Sequence, residues 1–140
     1  MSLLVYVVVT DASGERSELG ETLAAGFESW RTQVWGSPQV QALGAEFFPR
    51  LASEEMVTIQ DDELGRFQRE CTLVRENLDA ICADVDLASE DGLVVGNAPG
   101  QVVRANASRE VFHDLVSQRL ANIEDAVQRA ANAGGAAVIW

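Results

Sequence analysis

The sequence predicts one α/β domain spanning residues 1–140, with a small sheet of three or more strands packed by two long helices and several short ones. Three observations predict it. Leu3–Val9 and Ala136–Trp140 are unbroken apolar runs near the two ends of the chain, the pattern of strands covered on both faces. Between them, Asp61–Cys82 and the stretch from Ser108 to about Ala133 carry apolar residues at three-four spacing, the period of an amphipathic helix. A 140-residue chain that is 47% hydrophobic can also close a core without metal or disulfide staples.

Taken in order, Leu3–Val9 reads as a central strand, ended by the turn-prone Asp11-Ala12-Ser13-Gly14. Residues 12–25 are polar and punctuated by glycine, which predicts a loop with at most one helical turn around Leu19–Ala25. Phe27, Trp30 and Val34 recur at helical spacing, so Ala25–Trp35 is expected to be a short amphipathic helix stopped by Gly36. Ser37 as N-cap and Pro38 at the first helical position open a second short helix that stops near Gly44. A further turn, Ala45–Phe48, is limited by Pro49, and Met56–Ile59 reads as a short strand.

The clearest element is Asp61–Cys82, where Leu64, Phe67, Cys71, Val74, Leu78 and Ile81 lay one apolar stripe along a single helix. Asp61, Asp62 and Glu63 occupy its first turn, where the helix dipole favours negative charge. Asp62–Arg66, Arg66–Glu70 and Arg75–Asp79 are opposite charges four apart. Residues 83–107 fit either a β-hairpin with a long loop or a flexible excursion between two helices, and the excursion is preferred. Ser108 or a neighbour caps the last helix, with Phe112, Leu115, Val116, Leu120, Ile123, Val127 and Ala130 inward and Gly134-Gly135 ending it. Ala136–Trp140 closes the chain as a buried strand, giving a two-layer or three-layer sandwich.

Charge sets the function classes. Ten arginines, no lysine and 22 Asp/Glu give a formal charge of -12, which repels phosphate backbones and speeds encounter with basic surfaces. No apolar run approaches the roughly 20 residues of a membrane span, and no basic segment precedes Leu3–Val9 as in a signal peptide. A cytoplasmic protein with neither nucleic-acid nor membrane partners is expected. Cys71 and Cys82, eleven apart on one helix, would lie about 16 Å apart, beyond disulfide reach, and read as small buried apolar residues.

Catalytic patterns are missing. His113 is the one histidine, so a histidine-built metal site is excluded. Asp84-x-Asp86 lacks the other ligands and the glycine of a calcium loop. No G-x-S-x-G elbow, P-loop or G-x-G-x-x-G occurs. No cofactor is expected.

Two surface features remain. Glu54-Glu55 and Asp61-Asp62-Glu63 bracket the Met56–Ile59 strand and are expected to lie close together as a negative docking patch. Asp84, Asp86, Glu90 and Asp91 form a second acidic group. On the Ala25–Trp35 helix, Trp30 belongs to the core face, whereas Glu28, Arg31 and Trp35 share another. There Arg31 and Trp35 are either a surface anchor pair for a partner, or Trp35 seals the helix–sheet junction.

Trp30-Arg31-x-x-Val34-Trp35-Gly36-Ser37, Glu70-Cys71, and the ending from Arg119-Leu120-Ala121-Asn122-Ile123-Glu124 to Ile139-Trp140 resemble a group of small acidic proteins from high-GC bacteria. That resemblance spans nearly the whole chain apart from the excursion and brings no activity or catalytic residue with it. In size, acidity and lack of a catalytic set the chain also looks like immunity proteins that neutralise toxin domains, without a shared motif. The expected function is a non-enzymatic, protein-binding one: an immunity protein masking the basic site of a toxin. The alternatives are a small-molecule sensor or enzyme with its pocket between sheet and helices, and a homodimer that buries a helix face or the Trp35 region.

Overall fold

β1 (Ser2–Thr10) and β2 (Arg16–Phe27) form one antiparallel hairpin in a computed structural model that describes residues 2–83, 85 and 109–140. The turn between them is built by Asp11. Its backbone N–H donates to the Glu15 carbonyl (3.0 Å), its carbonyl accepts from Gly14 N (3.0 Å), and Gly14 sits at φ +85°, the turn-plus-glycine-bulge geometry of a tight hairpin. The Asp11 carboxylate accepts from the Ser13 hydroxyl and from the N–H groups of Ser13 and Glu15, and the hydroxyl bond above all holds it below the ordinary carboxylate range.

Residues 16–27 are therefore a strand where the sequence predicts a loop. Every residue from Asp11 to Thr22 is exposed, so this half of β2 has no buried face to write an alternating pattern into the sequence. Pairing with β1, a non-local interaction, makes it a strand. The same pairing claims Ala25–Phe27, and the expected helix over Ala25–Trp35 shrinks to one turn, α1 (Trp30–Gln33). Gly26 marks the switch: it sits at φ +124°, and a Cβ there would come within 2.2 Å of the Trp30 ring.

Ser37 and Pro38 open α2 (Pro38–Ala42) as expected, with Ser37 Oγ accepting from Val40 N. Gly44 follows its end at φ +85°. Pro49 does not limit the next turn but opens it, standing in the first turn of a 3-10 helix, Phe48–Ala52, where its fixed φ and missing N–H are harmless. After β3 (Val57–Gln60), the long stripe is carried by two helices, α3 (Glu63–Glu76) and α4 (Leu78–Ala83). Asn77 separates them at φ -117°, ψ 16°, its amide donating to the Leu73 carbonyl. The stripe survives the break: Leu64, Phe67, Cys71, Val74, Leu78 and Ile81 are all buried.

The last helix, α5 (Arg109–Ala133), buries Phe112, Val116, Leu120, Ile123, Val127 and Ala130, leaves Leu115 half-buried, and leads through Gly134-Gly135 into β4 (Ala136–Ile139). Arg109 donates to the Cys82, Ala83 and Val85 carbonyls (2.6, 2.9 and 3.1 Å), placing a cation at the C-terminal end of α4. The Ser108 cap, the hairpin or excursion expected within 83–107, and the acidic group from Asp84 to Asp91 lie outside the described residues.

The sheet has four strands in the order β2-β1-β4-β3, every neighbouring pair antiparallel. β1 is interior, as expected, but its two faces differ. Leu3, Val5 and Val7, with Val57, Ile59, Ala137 and Ile139, point into the helices. Leu4 and Tyr6 on the opposite face are only half-buried, and Val8, Ala136 and Val138 stand outside that core cluster. The described residues form two layers, not three, and β1 is not helix-covered on both sides. A chain of aromatic contacts ties the layers: Trp30 meets Phe27, Trp35 and Phe112 edge-on, Trp35 stacks on Phe48, and Phe47 and Phe48 meet Phe67.

Both cysteines are free and buried. Burial pushes the Cys71 thiol far above its ordinary range and raises Cys82 to about 11, with Asp79 adding to the latter. Since the thiolate is the reactive form, neither thiol is expected to react with iodoacetamide at pH 8 in the native protein. Both should react after unfolding in urea, and mass spectrometry of the quenched reaction distinguishes the two states. Rapid native labelling of Cys71 would contradict its placement.

Candidate functional site

The acidic patch is organised by arginines. Arg50 grips Glu54 with two bonds (Nε–Oε2 2.6 Å, Nη2–Oε1 3.1 Å), and its pKa is raised, first by that hydrogen bond, with Glu63 and Glu46 adding through their fields. The Glu54 carboxyl is lowered in return by the same bond. Arg66 holds both Glu46 oxygens (2.9 and 3.0 Å) while lying 5.6 Å above the Phe47 ring. Two of the acids near the patch are thus already neutralised.

Four acids there are not: Glu55, Asp61, Asp62 and Glu63 form no ion pair among the described residues. Asp61 adopts φ +55°, a left-handed conformation that aspartate tolerates better than most residues. It turns the chain from β3 into α3, and Asp62 and Glu63 follow at the helix start. β3 runs extended for about 13 Å between Glu55 and Asp61, so the two acidic groups leave it from opposite ends. Their shared neighbour is Arg50.

Arg31 and Trp35 are not surface anchors. The Arg31 side chain is 16% exposed and pairs with Glu28. It also donates to the carbonyls of Leu51 (3.2 Å), Glu54 (3.0 Å) and Glu55 (3.0 Å). Its reach is spent on backbone, so it positions the segment that carries Glu54 and Glu55 rather than meeting a partner. Trp35 is fully buried, with Nε1 donating to the Ala25 carbonyl (2.9 Å) and its ring on Phe48 at 5.0 Å. It seals the junction of β2 with the 3-10 helix.

None of the three charge pairs expected along the long helix forms. Arg66 pairs with Glu46 and Arg75 with Glu124 and Ser117, partners from other elements that sequence spacing does not reveal. Glu70 turns inward, 7% exposed, and its carboxylate receives the N–H groups of Glu46, Phe47 (3.0 and 3.1 Å) and Phe48 (2.7 Å). The sequence signal for it was faint: a glutamate beside Cys71 at the edge of an apolar stripe.

The interval between sheet and helices, where a ligand pocket was the competing expectation, is filled by Trp30, Trp35, Phe47, Phe48, Phe67 and Phe112, each 2% exposed or less. Among the described residues no cluster of three or more His, Cys, Asp or Glu is placed to hold a metal ion, and no helix is long and apolar enough to cross a membrane. No protein-family model matches the chain, and neither does any curated protein or solved structure. What it does must be read from its own side chains.

Proposed function

We propose that this chain is a non-enzymatic binding protein whose carboxylate surface covers a basic site on a protein partner, and that the partner is a nuclease-like toxin domain neutralised in the cytoplasm. One observation carries the reading: six of the ten arginines are bonded within their own fold, while carboxylates around β3 are exposed with no ion pair among the described residues. Arg31, Arg50, Arg66, Arg75, Arg109 and Arg129 are all engaged with carbonyls or carboxylates of their own fold. Glu55, Asp61 and Asp62 are exposed and form no ion pair among the described residues, on a chain of net charge -12. Such a surface raises the encounter rate with a basic face and rejects acidic competitors.

Association with the product of the neighbouring gene tests it. The rate is expected to fall by about tenfold or more between low and physiological salt, as a steered encounter does. Replacing Glu55→Gln, Asp61→Asn and Asp62→Asn together should slow association further while leaving dissociation and thermal unfolding nearly unchanged. Binding indifferent to both salt and the triple replacement would remove the proposal.

A further inference from the structure

The described helices pack on the face of the sheet that carries Leu3, Val5 and Val7, and the register defines the opposite one. Directly opposed residues of an antiparallel pair share a face. Thr10 opposes Arg16, Val8 opposes Ala136, and Ala136 and Val138 oppose Gln60 and Thr58, so all of these stand on the outer face. There a cleft of about 460 Å³ extends from Arg16 on β2 to Gln60 and Asp61 at the end of β3, over the buried Val8 and Ala136. The Gly134-Gly135 link lines it with backbone alone, and a Cβ on Gly135 would strike the Val8 carbonyl. Val8, Arg16 and Thr58 also line a neighbouring cleft of about 430 Å³, bordered by Tyr6, Met56 and Val138.

The polar side chains of the first cleft are unused by the fold. Thr10, Arg16, Thr58, Gln60 and Asp61 make no side-chain hydrogen bond or ion pair among the described residues. Arg16 thereby differs from the six arginines bonded to carbonyls or carboxylates of the fold. Arg16 and Asp61 carry opposite charges and line one cleft, yet they do not pair with each other. A cation and an anion are thus presented together, with two hydroxyls and an amide between them.

We infer that this cleft binds a small zwitterion of the α-amino acid class. Its carboxylate meets the Arg16 guanidinium, its ammonium meets the Asp61 carboxylate, and an apolar side chain lies toward Tyr6, Met56 and Val138. Charge selects that ligand. A free anion is repelled by a chain of net charge -12, and a free cation meets Arg16 inside the cleft. A molecule with both charges and no net one escapes both penalties and gains two charge-assisted contacts. Thr10, Thr58 and Gln60 supply further donors and acceptors. Glu18 borders the neighbouring cleft and rejects an acidic side chain there. Size agrees, since small-molecule sites occupy roughly 300–1,000 Å³.

Amide chemical shifts of the isotopically labelled full chain, followed during titration with L-phenylalanine, test this. Saturable shifts are expected at Thr10, Thr58, Asp61 and Gly135, with a Kd on the order of 1 mM for so open a site. Phenethylamine and 3-phenylpropionate each keep one of the two charges, and both should bind about tenfold more weakly. Arg16→Gln should weaken L-phenylalanine by about tenfold and leave phenethylamine unaffected, while Asp61→Asn should do the same and leave 3-phenylpropionate unaffected. Both positions are exposed, and asparagine tolerates the left-handed backbone of residue 61 as aspartate does, so the amide spectra should otherwise match wild type. Arg16→Gln also separates this site from the partner surface proposed above, because removing a cation should not slow encounter with a basic face. Absence of saturable shifts at about 20 mM L-phenylalanine overturns the inference. So does phenethylamine binding as tightly as the amino acid, or binding that ignores both substitutions.

Discussion

Replacing Glu70 by alanine is expected to destabilise the fold by about 3–5 kcal/mol, the range for stripping a buried charge of its partners or the partners of their charge. The carboxylate is the shared acceptor for three consecutive backbone N–H groups, Glu46, Phe47 and Phe48, at the entry to the 3-10 helix. Without it those donors are left in a site closed to water by Phe47 and Phe48, both nearly fully buried. Charge-assisted bonds of this kind contribute about twice as much as neutral ones. Glu70→Gln keeps the volume and one acceptor oxygen, so it should lose about half as much. Urea unfolding, read by tryptophan fluorescence, measures both. For a domain whose whole stability is about 5–15 kcal/mol, the alanine variant should lie near the edge of folding. A loss below about 1 kcal/mol would mean that solvent reaches those donors and the carboxylate is dispensable.

Trp35→Ala should cost about 3–5 kcal/mol, the range for truncating a large aromatic in a filled core. The ring touches Trp30 and Phe48, two members of the aromatic chain that joins α1, the 3-10 helix and α5 to the sheet, and its indole N–H holds the Ala25 carbonyl where β2 bends at Gly26. Trp35→Phe retains the stacking on Phe48 and loses the bond, for a cost of about 1–2 kcal/mol. A surface anchor behaves differently: its truncation leaves the unfolding midpoint alone and weakens only binding. A stable Trp35→Ala protein would therefore return this residue to the surface.

The interior elements were legible wherever a local pattern and a tertiary environment agreed. The stripe from Leu64 to Ile81 is buried along its whole length although Asn77 splits the helix beneath it, because apolar period reports the buried face and not backbone continuity. Ser37-Pro38 and Gly44 bounded α2 through chemistry confined to a few residues. The candidate site was harder. Arg31 and Trp35 share a helix face on paper, but the helix is one turn long, and both side chains are drawn inward by β2 and by the carbonyls of residues 51–55. Glu54-Glu55 and Asp61-Asp62-Glu63 were visible as charges. Which of them stay unpaired depends on Arg50 and Arg66, whose partners span different elements or a turn of 3-10 helix.

By itself the sequence determined that this is an acidic α/β domain whose first strand is interior, whose long helices bury known stripes, and whose cysteines are structural. Those properties follow from residue-level preferences: apolar period, capping chemistry and charge count, each read within a few neighbours. The tertiary structure alone decided that residues 16–27 are a strand, that the sheet order is β2-β1-β4-β3, that Glu70 serves backbone donors more than 20 residues away, and that the described helices pack on one face of the sheet. Each is a pairing between segments distant in the chain. An exposed strand and a buried carboxylate take their meaning from what packs beside them, and no local spacing encodes that partner.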